Sequence, residues 1–109
     1  MAFDATRVDG VCAKLVQAVR MLDLSYAEVM LYALPDQSVR VRTARTAALR
    51  MLHHWKKRAD LGMGPGPEVV YTCATSVLKT VVDTVCALTA MHHLMADAGV
   101  LALTEGITA

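Results

Sequence analysis

The sequence has few aromatic residues and few cysteines, and each shortage limits the architecture. Only 5% of the 109 residues are aromatic, so Leu, Val, Ala and Met must fill the interior. Cys12, Cys73 and Cys86 are an odd number without close spacing, which favours neither a disulfide framework nor a zinc motif. We therefore expect free thiols and a reducing, cytoplasmic location.

Motifs for catalysis and metal binding are also missing from the sequence. The histidines form two adjacent pairs, His53–His54 and His92–His93, and adjacent helical residues diverge by about 100°, so one pair cannot chelate a metal from one face. The Gly/Pro segment 62–67 lacks the Lys and Ser/Thr of a phosphate loop. No carboxylate pair suits acid–base chemistry. We expect a protein without enzymatic activity, metal site or cofactor.

Charged residues are scarce and apolar residues abundant, at 19% and 55% of the chain. A chain of this length forms a single domain, 1–109, with a small core. Its apolar surface exceeds what one small core hides, which favours self-association or a partner. The most apolar segment is interrupted by Lys79, Asp83 and His92. It has no uncharged apolar run of about 18 residues, so the sequence disfavours a membrane span.

Apolar residues recur at three- and four-residue steps through most of the chain, which predicts an all-α protein. Ser25 and Glu28 have the spacing of a capping box, so a second helix is expected to begin there and to end before Pro35. Residues 69–75 are rich in Val and Thr, which leaves a strand as the alternative for that segment. We therefore expect a small bundle of about four helices with a long C-terminal helix. We also expect a homodimer whose contact is formed by that helix and helix 1. The predicted helices are 4–23, 26–34, 38–60 and 67–98, with the Gly/Pro loop at 62–67.

One segment, 38–60, concentrates the positive charge. It holds seven of the 11 Lys and Arg residues, and no acidic residue lies between Asp36 and Asp60. Arg40 and Arg42 fall near the helix N-terminus, where the helix dipole disfavours cations by about 0.3–1 kcal/mol. Helix stability alone therefore does not explain their positions. A helical-wheel projection of segment 38–60 places Trp55 with the apolar residues. We therefore expect Trp55 to anchor the packing of this helix and not to serve as a base-stacking platform.

A basic helical face rich in Arg is typical of phosphate binding, because the guanidinium fork matches phosphate oxygens. The helix lacks Asn, and its only Gln is Gln37 at the edge, so base reading is disfavoured and backbone contact is expected. We predict binding of duplex nucleic acid, RNA ahead of DNA, with steep salt dependence and little sequence preference. The predicted contact residues are Arg42, Arg45, Arg50, His53, Lys56 and Lys57.

Other functions remain open at this stage. The basic face is also typical of a solvated surface or of a helical protein–protein adaptor whose partner is acidic, and a membrane-surface protein is a third possibility. In size, helical content and basic helical face, the predicted architecture resembles the small helical dimers of nodaviruses that bind duplex RNA and suppress silencing. This resemblance implies an RNA-binding homodimer. It rests on architecture alone, so no residue role is carried over from it.

Overall fold

The computed structural model describes residues 6–30, 35–61 and 66–97, with the side chains of 58–61 and 96–97 outside the description. Its described residues form three α-helices, α1 (Thr6–Val29), α2 (Pro35–Leu61) and α3 (Pro67–Asp97), and no strand. The all-α prediction is confirmed. The strand alternative for 69–75 is wrong, because these residues lie inside α3.

The helices pack side by side, with α2 antiparallel to α1 and α3. Asp9 near the start of α1 contacts Trp55 near the end of α2, and Arg7 of α1 lies over the ring of Tyr71 near the start of α3. The molecule measures 61 × 21 × 21 Å. The α1–α3 contact is the most extensive and the α1–α2 contact the least. The two helices expected to form a dimer contact thus bury their main apolar stripes within one chain.

The core lies between the three helices and is built from Leu, Val and Ala. Leu15 and Leu22 of α1 and Val81 of α3 have no exposed surface. A smaller group, Val8, Cys12 and Val70, closes the end of the bundle near Trp55. The main cluster is Leu15, Ala18, Val19, Leu22, Val29, Val41, Ala44, Ala48, Val81, Val85 and Leu88.

The predicted break between a first and a second helix is wrong. Ser25 lies inside α1, which continues without interruption to Val29. Leu22, Tyr26 and Val29 continue the buried stripe at helical spacing, so burial of this face outweighs a capping box worth about 1 kcal/mol. The fourth helix is therefore not confirmed. Residues 31–34, which were assigned to it, lie outside the described residues.

The other helix boundaries follow from proline and glycine. α2 begins at Pro35, three residues before the predicted start, because proline fits the first helical turn, where its missing N–H has no intrahelical partner. α3 begins at Pro67 as predicted. Gly66 precedes it, and its carbonyl accepts the amides of Val69 and Val70 at 3.1 and 3.2 Å. The remainder of the Gly/Pro loop, 62–65, lies outside the described residues.

The cysteines depart from expectation in one respect. All three are free, but only Cys12 is buried, whereas Cys73 and Cys86 are exposed on α3. The sequence pattern made α3 apolar on a wide arc, and the two neighbouring helices cover only part of it. Cys73 and Cys86 thus lie on parts of α3 that its neighbours leave exposed.

Candidate nucleic-acid interface

The basic side of α2 faces solvent because its other side is held in the core. Val41, Ala44 and Ala48 are buried, and they recur at the three- and four-residue steps of one helical face. Successive helical residues turn by about 100°, so the positions between these three lie on the flanks and the outer side of α2. Small Ala residues at the contact bring α2 close to its neighbours and leave the long Arg and Lys side chains outside.

All six residues predicted to bind nucleic acid lie on α2 and are exposed. The structure therefore brings them to one surface. Arg45 differs from the others, because its Nε donates to both carboxylate oxygens of Asp23 on α1, at 3.1 and 3.4 Å. The two side chains are 47% and 48% exposed, so solvent screens the pair and the carboxylate offsets only part of the Arg45 charge. The six are Arg42, Arg45, Arg50, His53, Lys56 and Lys57.

Apart from Arg45, the Arg and Lys side chains of this surface form no ion pair within the described part of the chain. On the helical wheel, Arg42, His53 and Lys56 run along the side nearer α1, and Arg50 and Lys57 along the side nearer α3. The second strip borders a shallow depression of about 590 Å³. Its lining residues are Ala47, Arg50, Met51, His53, His54 and Lys57.

Two basic residues outside the predicted set belong to the same surface. His54 lines the depression described above. Arg40 lines a separate groove of about 310 Å³ between α2 and α3, together with Thr80 and Asp83. Both residues were part of the charge cluster visible in the sequence. Neither residue is in the predicted contact set.

A leucine interrupts the basic surface. Leu49 is 41% exposed, and on the helical wheel it lies between Arg42 and Lys56. The phosphates of a duplex offer no apolar contact for such a side chain, whereas an amphipathic protein segment does. Phosphate contact therefore does not explain Leu49, nor Val39, which is 60% exposed on the same helix.

Trp55 confirms the division of α2 into a packing side and a basic side. Its indole Nε1 donates to Asp9 Oδ1 at 2.8 Å, and its ring packs on the cluster of Val8, Cys12 and Val70. Burial, followed by the negative charge of Asp9, raises the pKa of the Cys12 thiol. The tryptophan thus ties the C-terminal half of α2 to α1 and is not available as a stacking platform.

Among the described residues, no three His, Cys, Asp or Glu side chains converge on a position for a metal ion. By length and composition, one helix, Pro67–Met95, is apolar enough to cross a membrane, with a mean hydropathy of 1.3. Core helices of soluble proteins have the same composition, so this is weak support for a span.

No protein-family model matches this chain, and no characterised protein or solved structure is significantly similar to it. No residue role can therefore be transferred from a relative. The charge and exposure of the helix faces are the basis for assigning a function.

Proposed function

We propose that the protein binds duplex nucleic acid, RNA in preference to DNA, through the outer face of α2, without enzymatic activity. One observation carries the proposal. Among the described side chains of α2 after Asp36 there is no acid, and only Arg45 is paired with a carboxylate. The exposed Arg and Lys residues are Arg40, Arg42, Arg45, Arg50, Lys56 and Lys57. A surface of one sign attracts a polyanion and releases its condensed counterions, which drives binding without base recognition.

The dimensions of the surface support contact with several phosphates. Arg42 and Lys57 are separated by fifteen residues, or about 22 Å along the helix axis at about 1.5 Å per residue. Duplex DNA carries one negative charge per about 1.7 Å of its axis, counting both strands. A helix of this length laid along a groove therefore passes many phosphates. Thr43 and Thr46, also exposed on α2, add hydroxyl donors.

The preference for RNA follows from the side chains present. Between Val39 and Lys57 the helix has no Asn or Gln, the residues that recognise adenine in a major groove. Duplex RNA is recognised mainly by shape and by phosphate and 2′-hydroxyl contacts, which need only donors. The Arg, Lys, His and Thr side chains of α2 are donors of this kind. We further propose that the chain acts as a homodimer, since α3 leaves apolar residues outward, including Val69, Val82 and Leu94.

A gel-shift titration tests the proposal with duplex RNA, duplex DNA and single strands of matched length at two salt concentrations. We expect the tightest binding to duplex RNA and a steep loss of affinity with salt, with a slope of about −0.9 per phosphate neutralised on B-form DNA. Arg42→Ala combined with Arg50→Ala should weaken binding at least tenfold and make the slope shallower. A double variant on α1, Lys14→Ala with Arg20→Ala, removes two exposed cations and is the matched control.

The outcomes separate the proposal from its rival. Equal losses in the α2 and α1 double variants would show that only net charge matters and would overturn the site. No shift at low salt with any nucleic acid would overturn the function and favour a helical adaptor for an acidic protein. The exposed Leu49 is the observation that favours this second candidate, and Leu49→Ala should then weaken capture of the acidic partner.

A further inference from the structure

The outward side of α3 is unusually poor in charge for a solvent-facing surface. Between Thr72 and Ala90 the only charged residues are Lys79 and Asp83. Only 28% of the most apolar 18-residue window of this helix is buried inside the chain. α1 and α2 cover the side of Val81, Val85 and Leu88, so the opposite side is left open, with Asp83 at its edge beside α2. Its exposed residues, at helical spacing, are Thr72, Ser76, Lys79, Asp83, Cys86 and Ala90.

The threonine hydroxyl groups around this side are hydrogen-bonded within the helix. Thr72 donates to the carbonyl of Glu68 at 3.1 Å, and Thr75 donates to that of Tyr71 at 2.8 Å. Thr80 and Thr89 donate in the same way to carbonyls one turn earlier, at 3.1 and 3.0 Å. A hydroxyl bonded to its own helix loses little when water is removed from it. The surface is therefore suited to contact with another protein surface.

The two charged residues of this side indicate a second copy of the chain as the partner. Lys79 and Asp83 lie one turn apart on the outer face, have opposite signs, and form no ion pair with any described residue. Two copies of α3 can pack antiparallel about a two-fold axis that crosses the helix at the level of Val81, whose own side chain is buried in the core. Each residue then lies opposite the residue of the second copy that is equally far from Val81 in the other direction along the sequence. Lys79 then meets Asp83 of the second copy, and the pair forms twice. A parallel arrangement opposes Lys79 to Lys79 and Asp83 to Asp83, which is repulsive.

The neighbouring residues fit the same register. Thr72 falls opposite Ala90, and Ser76 opposite Cys86. All four side chains are small, which allows helix axes to approach to about 8–10 Å. The contact from Thr72 to Ala90 extends over about 27 Å at about 1.5 Å per residue. An interface of one helix per chain lies at the small end of specific interfaces.

We propose that the outer face of α3 binds a second copy of this chain, antiparallel and centred on Val81, through reciprocal Lys79–Asp83 ion pairs. This rests on the proposed homodimer and assigns its interface. It is separate from nucleic-acid binding, because it uses α3 and not the basic face of α2. Arg40 of α2 lines the same groove as Asp83, and the two form no ion pair in the described part of the chain.

Charge exchange tests the interface by sedimentation equilibrium. Lys79→Asp opposes two carboxylates in each pair, and Asp83→Lys opposes two ammonium groups, so each single variant should raise the dissociation constant at least tenfold. Lys79→Asp with Asp83→Lys in one chain should restore the dimer. An equimolar mixture of the two single variants should form a heterodimer. Circular dichroism checks that each variant keeps its helices.

Disulfide formation tests the register. Thr72→Cys with Ala90→Cys, in a chain with Cys73→Ser and Cys86→Ser, should give a covalent dimer on mild oxidation. Thr72→Cys alone in that background should not form a covalent dimer, because position 72 lies opposite position 72 of the second copy only in a parallel pair. A parallel pairing, revealed by dimers of the single variant, would overturn the proposal.

The possible failures are distinguishable. A wild-type chain that stays monomeric at high concentration overturns the homodimer. A wild-type dimer that is unaffected by both single charge reversals overturns this interface while leaving the dimer standing. Either result is independent of the gel shift, which reports on α2. A monomer that sediments with phospholipid vesicles would assign the outer face of α3 to a membrane and would likewise overturn the proposal.

Discussion

The outer face of α2 carries Arg or Lys on almost every turn, whereas the outer face of α3 carries only Lys79 and Asp83 between Thr72 and Ala90. Both helices are long, and both bury one side in the same core. The difference lies in what each exposed side can bind. Unpaired cations favour a solvated polyanion, and small residues with satisfied hydroxyls favour a close protein contact. A single bundle thus presents two unlike surfaces, and each can be tested separately.

The largest effect is expected in the core that holds both surfaces in place. Leu22 has no exposed surface, and Leu24 on the same helix is 68% exposed. Leu22→Ala should lower the free energy of unfolding by about 2–5 kcal/mol, because it removes buried methyl groups and leaves a cavity. Leu24→Ala should change it by less than about 0.5 kcal/mol. Urea denaturation measures both, and equal losses in the two variants would contradict the helix orientation.

A smaller effect is expected at the anchor of the basic helix. Trp55→Phe keeps most of the ring packing but removes the donor to Asp9, and should cost about 0.5–1.5 kcal/mol. Asp9→Asn retains an acceptor oxygen and is the matched control. Thermal unfolding followed by circular dichroism gives the comparison. A larger loss from Asp9→Asn than from Trp55→Phe would show that the carboxylate charge, and not the hydrogen bond, stabilises this contact.

The ion pair between α1 and α2 should have a still smaller effect on stability, with a visible one on binding. Asp23→Asn weakens the exposed pair with Arg45, so we expect a loss of about 0–1 kcal/mol. The same change releases the Arg45 charge, and affinity for duplex RNA should rise a few-fold. Glu28→Gln removes another exposed carboxylate from α1 and controls for net charge. An equal rise in both variants would remove Arg45 from the contact set.

The smallest effect on stability is expected at alkaline pH, from the buried thiol of Cys12. Burial and Asp9 raise the pKa of Cys12 in the folded state, so its contribution to stability is complete below the unfolded-state pKa and is lost as pH rises through the folded-state pKa. Wild type should therefore lose more stability than Cys12→Ala between pH 7 and pH 10 in urea denaturation. Cys73→Ala, which removes an exposed thiol outside the proposed α3 interface, is the matched control. Identical profiles for all three chains would contradict the burial of Cys12.

Local pattern alone determined the helical class, the start of α3 and the basic helix. Helical spacing of apolar residues identified the packing side of α2, including Trp55, and the absence of acids between Asp36 and Asp60 identified its charged side. These features depend on residues within a few turns of one another, which is the range over which helical periodicity operates. The six predicted contact residues share one surface for the same reason.

Tertiary packing decided the rest, because it depends on residues far apart in the chain. Burial of Leu22 and Val29 carried α1 through the capping-box residue Ser25, against a local signal for a new helix. The partners of Arg45 and Trp55 are 22 and 46 residues away, beyond any local rule. The outward side of α3 was likewise set by where α1 and α2 lie. The apolar composition of a helix indicates that much of its surface is to be covered. Only the positions of the neighbouring helices show which side remains exposed.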